Sequence, residues 1–108
     1  LSDTIGVSSP TNIAPLFSTL IKEYSSIEFG AHFHTSTDKW EEKVESAYQN
    51  GCRRFDTALK GYGGCPMAKD DLVGNMPTEK LITYFIEDLG LDSAALEKSL
   101  TLIGTIFK

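Results

Sequence analysis

Ile27-Glu28-Phe29-Gly30-Ala31-His32-Phe33-His34-Thr35 is the stretch on which the reading of this chain turns. The apolar run from Ile27 to Ala31 predicts a buried strand over about 27–34. Side chains alternate along a strand, so His32 and His34 share one face and Phe33 takes the other. Two steps of about 3.3–3.4 Å set their Cα atoms roughly 7 Å apart, close enough for two imidazoles to converge on one divalent ion. They are the only two histidines in the sequence. A metal site and a polar strand end both fit that spacing.

On the N-terminal side, Ile13, Leu16, Phe17, Leu20, Ile21 and Tyr24 recur with helical period. Thr11 or Asn12 is the expected cap of that helix, and Pro15 is tolerable near its first turn. Leu1 to Thr4 read as the end of a strand whose beginning is expected upstream. On the C-terminal side, Ser36, Thr37 and Asp38 offer cap oxygens to a helix carrying Trp40, Val44, Ala47 and Tyr48, which Asn50-Gly51 should end. Cys52 reads as a packing thiol, and Arg53 to Leu59 as a third strand. A polar loop from Lys60 to Met76 holds four of the nine glycines. Pro77-Thr78 begins a third helix, with Leu81, Ile82, Phe85, Ile86 and Leu89 inward and Gly90 closing it. Asp92 caps a fourth, with Leu91 and Leu96 placed for a hydrophobic staple and Leu96, Leu100 and Ile103 inward.

Strands alternating with helices at this spacing predict a parallel sheet. Three parallel strands leave two open edges, and a complete (βα)₈ barrel needs about 250 residues. The expected architecture is therefore α/β, a partial TIM barrel forming one incomplete domain over residues 1–108. Its open edges should favour self-association. The net charge of −5 argues against a nucleic-acid or anionic-membrane partner. No apolar run approaches the roughly 20 residues of a membrane span, and two cysteines without C-x-x-C spacing fit a reducing compartment.

In parallel α/β folds ligands bind at the carboxyl ends of strands. Asp3, the histidine pair and the loop Gly61-Tyr62-Gly63-Gly64-Cys65-Pro66-Met67-Ala68 should therefore share one rim. Glycines there permit close backbone approach to a ligand and can act as a hinge. A surface loop with an incidental thiol is the plainer alternative for that segment. Asn75 can offer an amide oxygen to a metal or serve as a turn residue, and Asp3 can do chemistry or cap the following turn.

Leu1-Ser2-Asp3-Thr4-Ile5-Gly6, Ala31-His32-Phe33-His34, Gly61-Tyr62-Gly63-Gly64-Cys65-Pro66 and Gly74-Asn75 resemble successive motifs of the 3-hydroxy-3-methylglutaryl-CoA lyase family. That family belongs to the DRE-TIM metallolyase superfamily, and the resemblance runs from residue 1 to about 103. It implies the last three βα units of a TIM barrel, strands six to eight, plus a C-terminal helix. It also implies Mg²⁺ or Mn²⁺ held by His32, His34 and Asn75, with a further Asp from a first strand outside this chain. The implied reaction is metal-assisted retro-Claisen cleavage of 3-hydroxy-3-methylglutaryl-CoA, or a close 3-hydroxyacyl-CoA, to acetyl-CoA and acetoacetate. His32 and Asp3 would be the acid–base residues, with Cys65 as a proton shuttle on the closing loop. Gly61, Gly63, Gly64 and Lys60 would form the substrate loop, Lys60 reaching CoA phosphates more readily than Arg53 or Arg54. The chain alone is expected to be inactive, its parent a homodimer of the bacterial cytoplasm or, in a eukaryote, the mitochondrial matrix. The competing readings are a DRE-TIM aldolase or synthase of other specificity, and a non-catalytic half-barrel that self-associates.

Overall fold

The central strand of the computed structural model is β2 (Gly30–Thr35), flanked in order by β1 (Ser2–Asp3) and β3 (Arg54–Phe55). The structure describes residues 1–64, 73–85 and 89–107. Both flanking strands are parallel to β2, Ser2 and Asp3 opposite His32 and Phe33, Gly30 and Ala31 opposite Arg54 and Phe55. The two crossovers are α1 (Pro10–Glu23) and α2 (Trp40–Gln49), the connection parallel strands require.

Alternation along β2 sends Ala31, Phe33 and Thr35 toward the helices, where all three are buried. Ile13 and Phe17 of α1 and Val44 and Ala47 of α2 complete that layer, with Cys52 and Met76. Phe17 meets Phe33 edge-on at 6.5 Å between ring centroids, the favoured aromatic geometry. Full burial of side chains this large contributes about 1.5–3 kcal/mol each. Cys52 is the packing thiol its position suggested: it is fully buried, its Sγ donates to the Arg54 carbonyl at 3.2 Å, and burial pushes its pKa up.

Several boundaries differ from expectation. Ile27 is half exposed, and its N–H closes a turn onto the Tyr24 carbonyl at 2.9 Å, so β2 begins at Gly30. The third strand is two residues long, because Leu59–Gly61 forms a 3₁₀ turn with Lys60 at φ +56. The cap of α1 is Ser9, with Pro10 first in the helix and Asn12 closing the box by accepting from the Ser9 N–H at 2.9 Å. Pro15 thus sits six residues in and leaves the Thr11 carbonyl without its helical partner. Leu16 and Tyr24 are exposed, and Leu16 joins Leu1 and Val7 beside β1, the open edge three parallel strands were expected to leave. The cap of α2 is Lys39, without a side-chain hydrogen bond, because Ser36 Oγ donates instead to Asp38 at 2.6 Å.

A strand that sequence periodicity did not reveal, β4 (Gly74–Asn75), lies antiparallel to the end of β2, with Asn75 opposite His34 and Gly74 opposite Thr35. After it, α3 (Thr78–Tyr84) is shorter than predicted; Ile86 lies outside the described residues and Leu89 is exposed. α4 (Ser93–Ile106) starts where Asp92 accepts from the Ala95 N–H at 3.0 Å, as expected, although Leu91 stays exposed.

Candidate functional site

The strand register brings three expected metal ligands onto one face. His32 and His34 project together from β2, their ring centroids 5.3 Å apart. Asn75 lies directly opposite His34 on β4, and directly opposed residues of an antiparallel pair share a face with Cβ atoms about 4.5–5.5 Å apart. The Asn75 amide donates through Nδ2 to the Tyr62 carbonyl at 2.9 Å, and Oδ1 accepts no hydrogen bond from the described residues. His34 is 6% exposed, and its Nδ1 is buried with no partner among the described residues. A buried polar nitrogen left alone costs about 1–3 kcal/mol, and a cation held by the ring would give such an imidazole a use. Two imidazoles and an amide oxygen suit a hard or borderline divalent ion, so the residues present fit one. Among the described residues no three His, Cys, Asp or Glu side chains cluster as ligands, so the site depends on the amide and on groups beyond these residues.

Beside Asn75 a cleft of about 390 Å³ is lined by Thr35, Ser36, Thr37, Lys60, Gly61, Tyr62, Gly63, Gly64, Val73, Gly74, Asn75 and Pro77. Neither histidine lines it; Asn75 joins the two features. Lys60, in the left-handed region, donates its backbone N–H to Glu79 at 2.9 Å. Arg53 is committed elsewhere, donating to the Tyr48 carbonyl at 2.7 Å and stacking over that ring, while Arg54 faces Glu28 at 4.0 Å. Cys65 lies outside the described residues.

Gly61 keeps the loop against β4. Its φ is +66, and a Cβ there would stand 2.8 Å from the Asn75 carbonyl oxygen. At Gly90, whose φ is also +66, a Cβ would meet nothing within 4 Å among the described residues. Alanine at either position carries the left-handed strain of about 1–2 kcal/mol, but only Gly61→Ala also collides with backbone. The expected result in urea titrations is a loss for Gly61→Ala at least about 1 kcal/mol larger than for Gly90→Ala. Equal losses would show that the loop yields freely at Asn75.

Asp3 is placed differently from its sequence-based role. Its register beside Phe33 turns it to the helix side of the sheet, away from the histidine face. One oxygen accepts from the Val7 N–H at 3.0 Å; the other accepts from the Ser8 N–H at 3.1 Å, the Ser8 hydroxyl, and Lys43 Nζ at 2.8 Å. The structure does not bring this carboxylate to the imidazoles. Burial opposes its charge, but the bonds from Lys43 and Ser8 outweigh that and hold its pKa below the ordinary range. Lys43 was not anticipated. Its side chain is 1% exposed and also donates to the carbonyls of Gly6 at 3.1 Å and His34 at 2.9 Å. The signal existed: residues 40, 43, 44 and 47 fall on one helical stripe, and Lys43 is its one cation.

Fold and rim together define an α/β chain on a parallel sheet, with two histidines and an asparagine on one face and a glycine-lined cleft at the carboxyl ends of its strands. Residues 1–104 match the HMGL-like family model, and the chain belongs to that family. It is 36% identical over 85 residues to the (R)-citramalyl-CoA lyase of Chloroflexus aurantiacus, covering 79% of this chain and 26% of that protein. It is 36% identical over 93 residues to the human cytoplasmic 3-hydroxy-3-methylglutaryl-CoA lyase, covering 86% of this chain and 25% of that protein. An HMG-CoA lyase from Acinetobacter baumannii, solved with coenzyme A and 3-methylmalate, superposes with a TM-score of 0.81 at 33% identity, covering 97% of this chain and 35% of that one. The chain thus spans about a quarter of the curated relatives and has the architecture of part of a TIM barrel.

Proposed function

We propose that this chain is the metal-binding part of a carbon–carbon lyase that cleaves 3-hydroxy-3-methylglutaryl-CoA, or a close 3-hydroxyacyl-CoA, to acetyl-CoA and a keto acid. The observation that carries this is the shared face of His32, His34 and Asn75 beside a glycine-lined cleft, in a chain related to two CoA-ester lyases. A bound Mg²⁺ or Mn²⁺ would supply Lewis acidity toward the substrate oxygens. His32, at the exposed end of the pair, would take the proton of the substrate hydroxyl. The electrons of the breaking carbon–carbon bond pass to the thioester α-carbon, which Cys65 would then protonate from the loop. Gly61, Gly63 and Gly64 would let backbone approach the acyl group, and Lys60, which lines the same cleft, would meet a CoA phosphate. Asp3, paired with Lys43 on the other face of the sheet, would support the rim from behind.

The test joins residues 1–108 in frame to the preceding part of the Acinetobacter baumannii lyase and follows acetyl-CoA release with Mn²⁺ present. Activity on 3-hydroxy-3-methylglutaryl-CoA is expected from the fusion and not from the chain alone. Turnover of citramalyl-CoA in its place would redirect the substrate assignment. A folded fusion inert on both would end the lyase reading.

A further inference from the structure

We infer that Asp56 is a positioning residue for His32, fixing the imidazole tautomer so that Nε2 carries the lone pair used at the rim. Asp56 Oδ2 lies 3.3 Å from His32 Nδ1. The carboxylate is set by backbone rather than chance: the Asp56 N–H donates to the Ala31 carbonyl at 2.9 Å, continuing the β2–β3 ladder one residue beyond β3. Asp56 is thereby held at the carboxyl end of β3, beside β2 and level with its histidines. An anionic carboxylate can only accept, so a neutral His32 must present its proton at Nδ1 and leave Nε2 bare.

The exposure of the pair says what it is for. The side chains of His32 and Asp56 are 44% and 56% exposed, and ion pairs so open to water add little to stability. What survives solvent competition is direction: one ring nitrogen is designated as donor and the ring's rotation is restrained. A carboxylate behind a histidine does this commonly at metal sites, where its removal weakens metal binding by about 10–100-fold. Among the described residues His34 has no counterpart, and its Nδ1 is without a partner there. The two imidazoles are therefore not equivalent, and His32 is the one oriented by a protein anion. The inference rests on the proposed function only for what Nε2 meets, a cation or a proton.

Two measurements separate the inference from that function. Long-range ¹⁵N–¹H spectra of the labelled 108-residue chain, taken above the imidazole titration, read which nitrogen of His32 bears the proton. Wild type is expected to be the Nδ1–H form, Asp56→Ala to move to Nε2–H, and Asp56→Glu to keep the wild-type form. Mn²⁺ titration of the fusion by electron paramagnetic resonance should show about 10–100-fold weaker binding in Asp56→Ala. An unchanged His32 tautomer in Asp56→Ala overturns the inference, even if Mn²⁺ affinity falls, because Asp56 would then act as a ligand itself. A tautomer shift with no Mn²⁺ bound by wild type sinks the metal reading and leaves Asp56 in its place. A merely structural role would move neither the tautomer nor its restoration by glutamate.

Discussion

Replacing Lys43 with methionine is expected to destabilise the chain by about 3–5 kcal/mol, the loss seen when one partner of a buried ion pair is removed. Methionine keeps the length and the packing of the aliphatic stem. What it takes away is the cation facing Asp3 and the donor to the Gly6 and His34 carbonyls. Asp3 is left as a carboxylate at 8% exposure, with only Val7 and Ser8 donating to it. Domains of this size have about 5–15 kcal/mol in total, so the urea midpoint should fall by a large fraction of its value. Lys43→Met combined with Asp3→Asn should recover part of the loss, with a coupling of about 1–3 kcal/mol in the double-mutant cycle. The pH dependence has a definite sign. In wild type the folded-state pKa of Asp3 is depressed, so its contribution is present above the unfolded value near 3.8 and is lost as pH falls through the folded one. Without Lys43, burial is opposed by less and the Asp3 pKa rises. The gap between wild type and Lys43→Met should therefore narrow as pH drops toward 3. A midpoint unmoved at neutral pH would mean that water replaces the ammonium and that the pair holds nothing together.

The contrast between Lys43 and the histidines shows where sequence reading has purchase. Strand alternation placed His32 and His34 on one face from spacing alone, and the 5.3 Å between their rings agrees. Helical period found α1 and α2, and a short acidic cap found α4. Each of these is a local rule acting within a single element. Lys43 obeys the same period as Val44, but composition assigns lysine to solvent, and only the spatial meeting with Asp3, forty residues earlier, reverses that. β4 is two residues long, too short for any periodicity, and exists because the end of β2 offers it a ladder. Asp56 was hidden by the length of its strand. With a strand extended to Leu59 it would lie mid-sheet; with β3 ending at Phe55 it stands on the rim beside His32. The histidine pair was legible because histidine occurs only twice in the sequence, whereas the residues around it are common ones made special by long-range contacts.

Substituting His34 with leucine should separate stability from binding with opposite signs. Leucine fills much of the volume of the imidazole and has no polar atom to strand. Removing the orphaned Nδ1 should therefore stabilise the chain by about 1 kcal/mol, provided the leucine fits the space beside Asn75 without strain. The same change deletes one of the three proposed protein ligands on the rim. Losing an outer-shell partner costs about 10–100-fold in metal affinity, and losing a ligand itself should exceed that, leaving Mn²⁺ binding by the fusion below detection and acetyl-CoA release absent. His32→Leu is the informative comparison. His32 is half exposed and already paired with Asp56, so its loss should leave urea stability nearly unchanged while binding falls as steeply. Sites kept for function at the expense of stability show this asymmetry. If His34→Leu instead lowers the urea midpoint while Mn²⁺ affinity holds, His34 is a packing residue of β2. The metal would then have to be held by His32 and Asn75 with groups outside this chain.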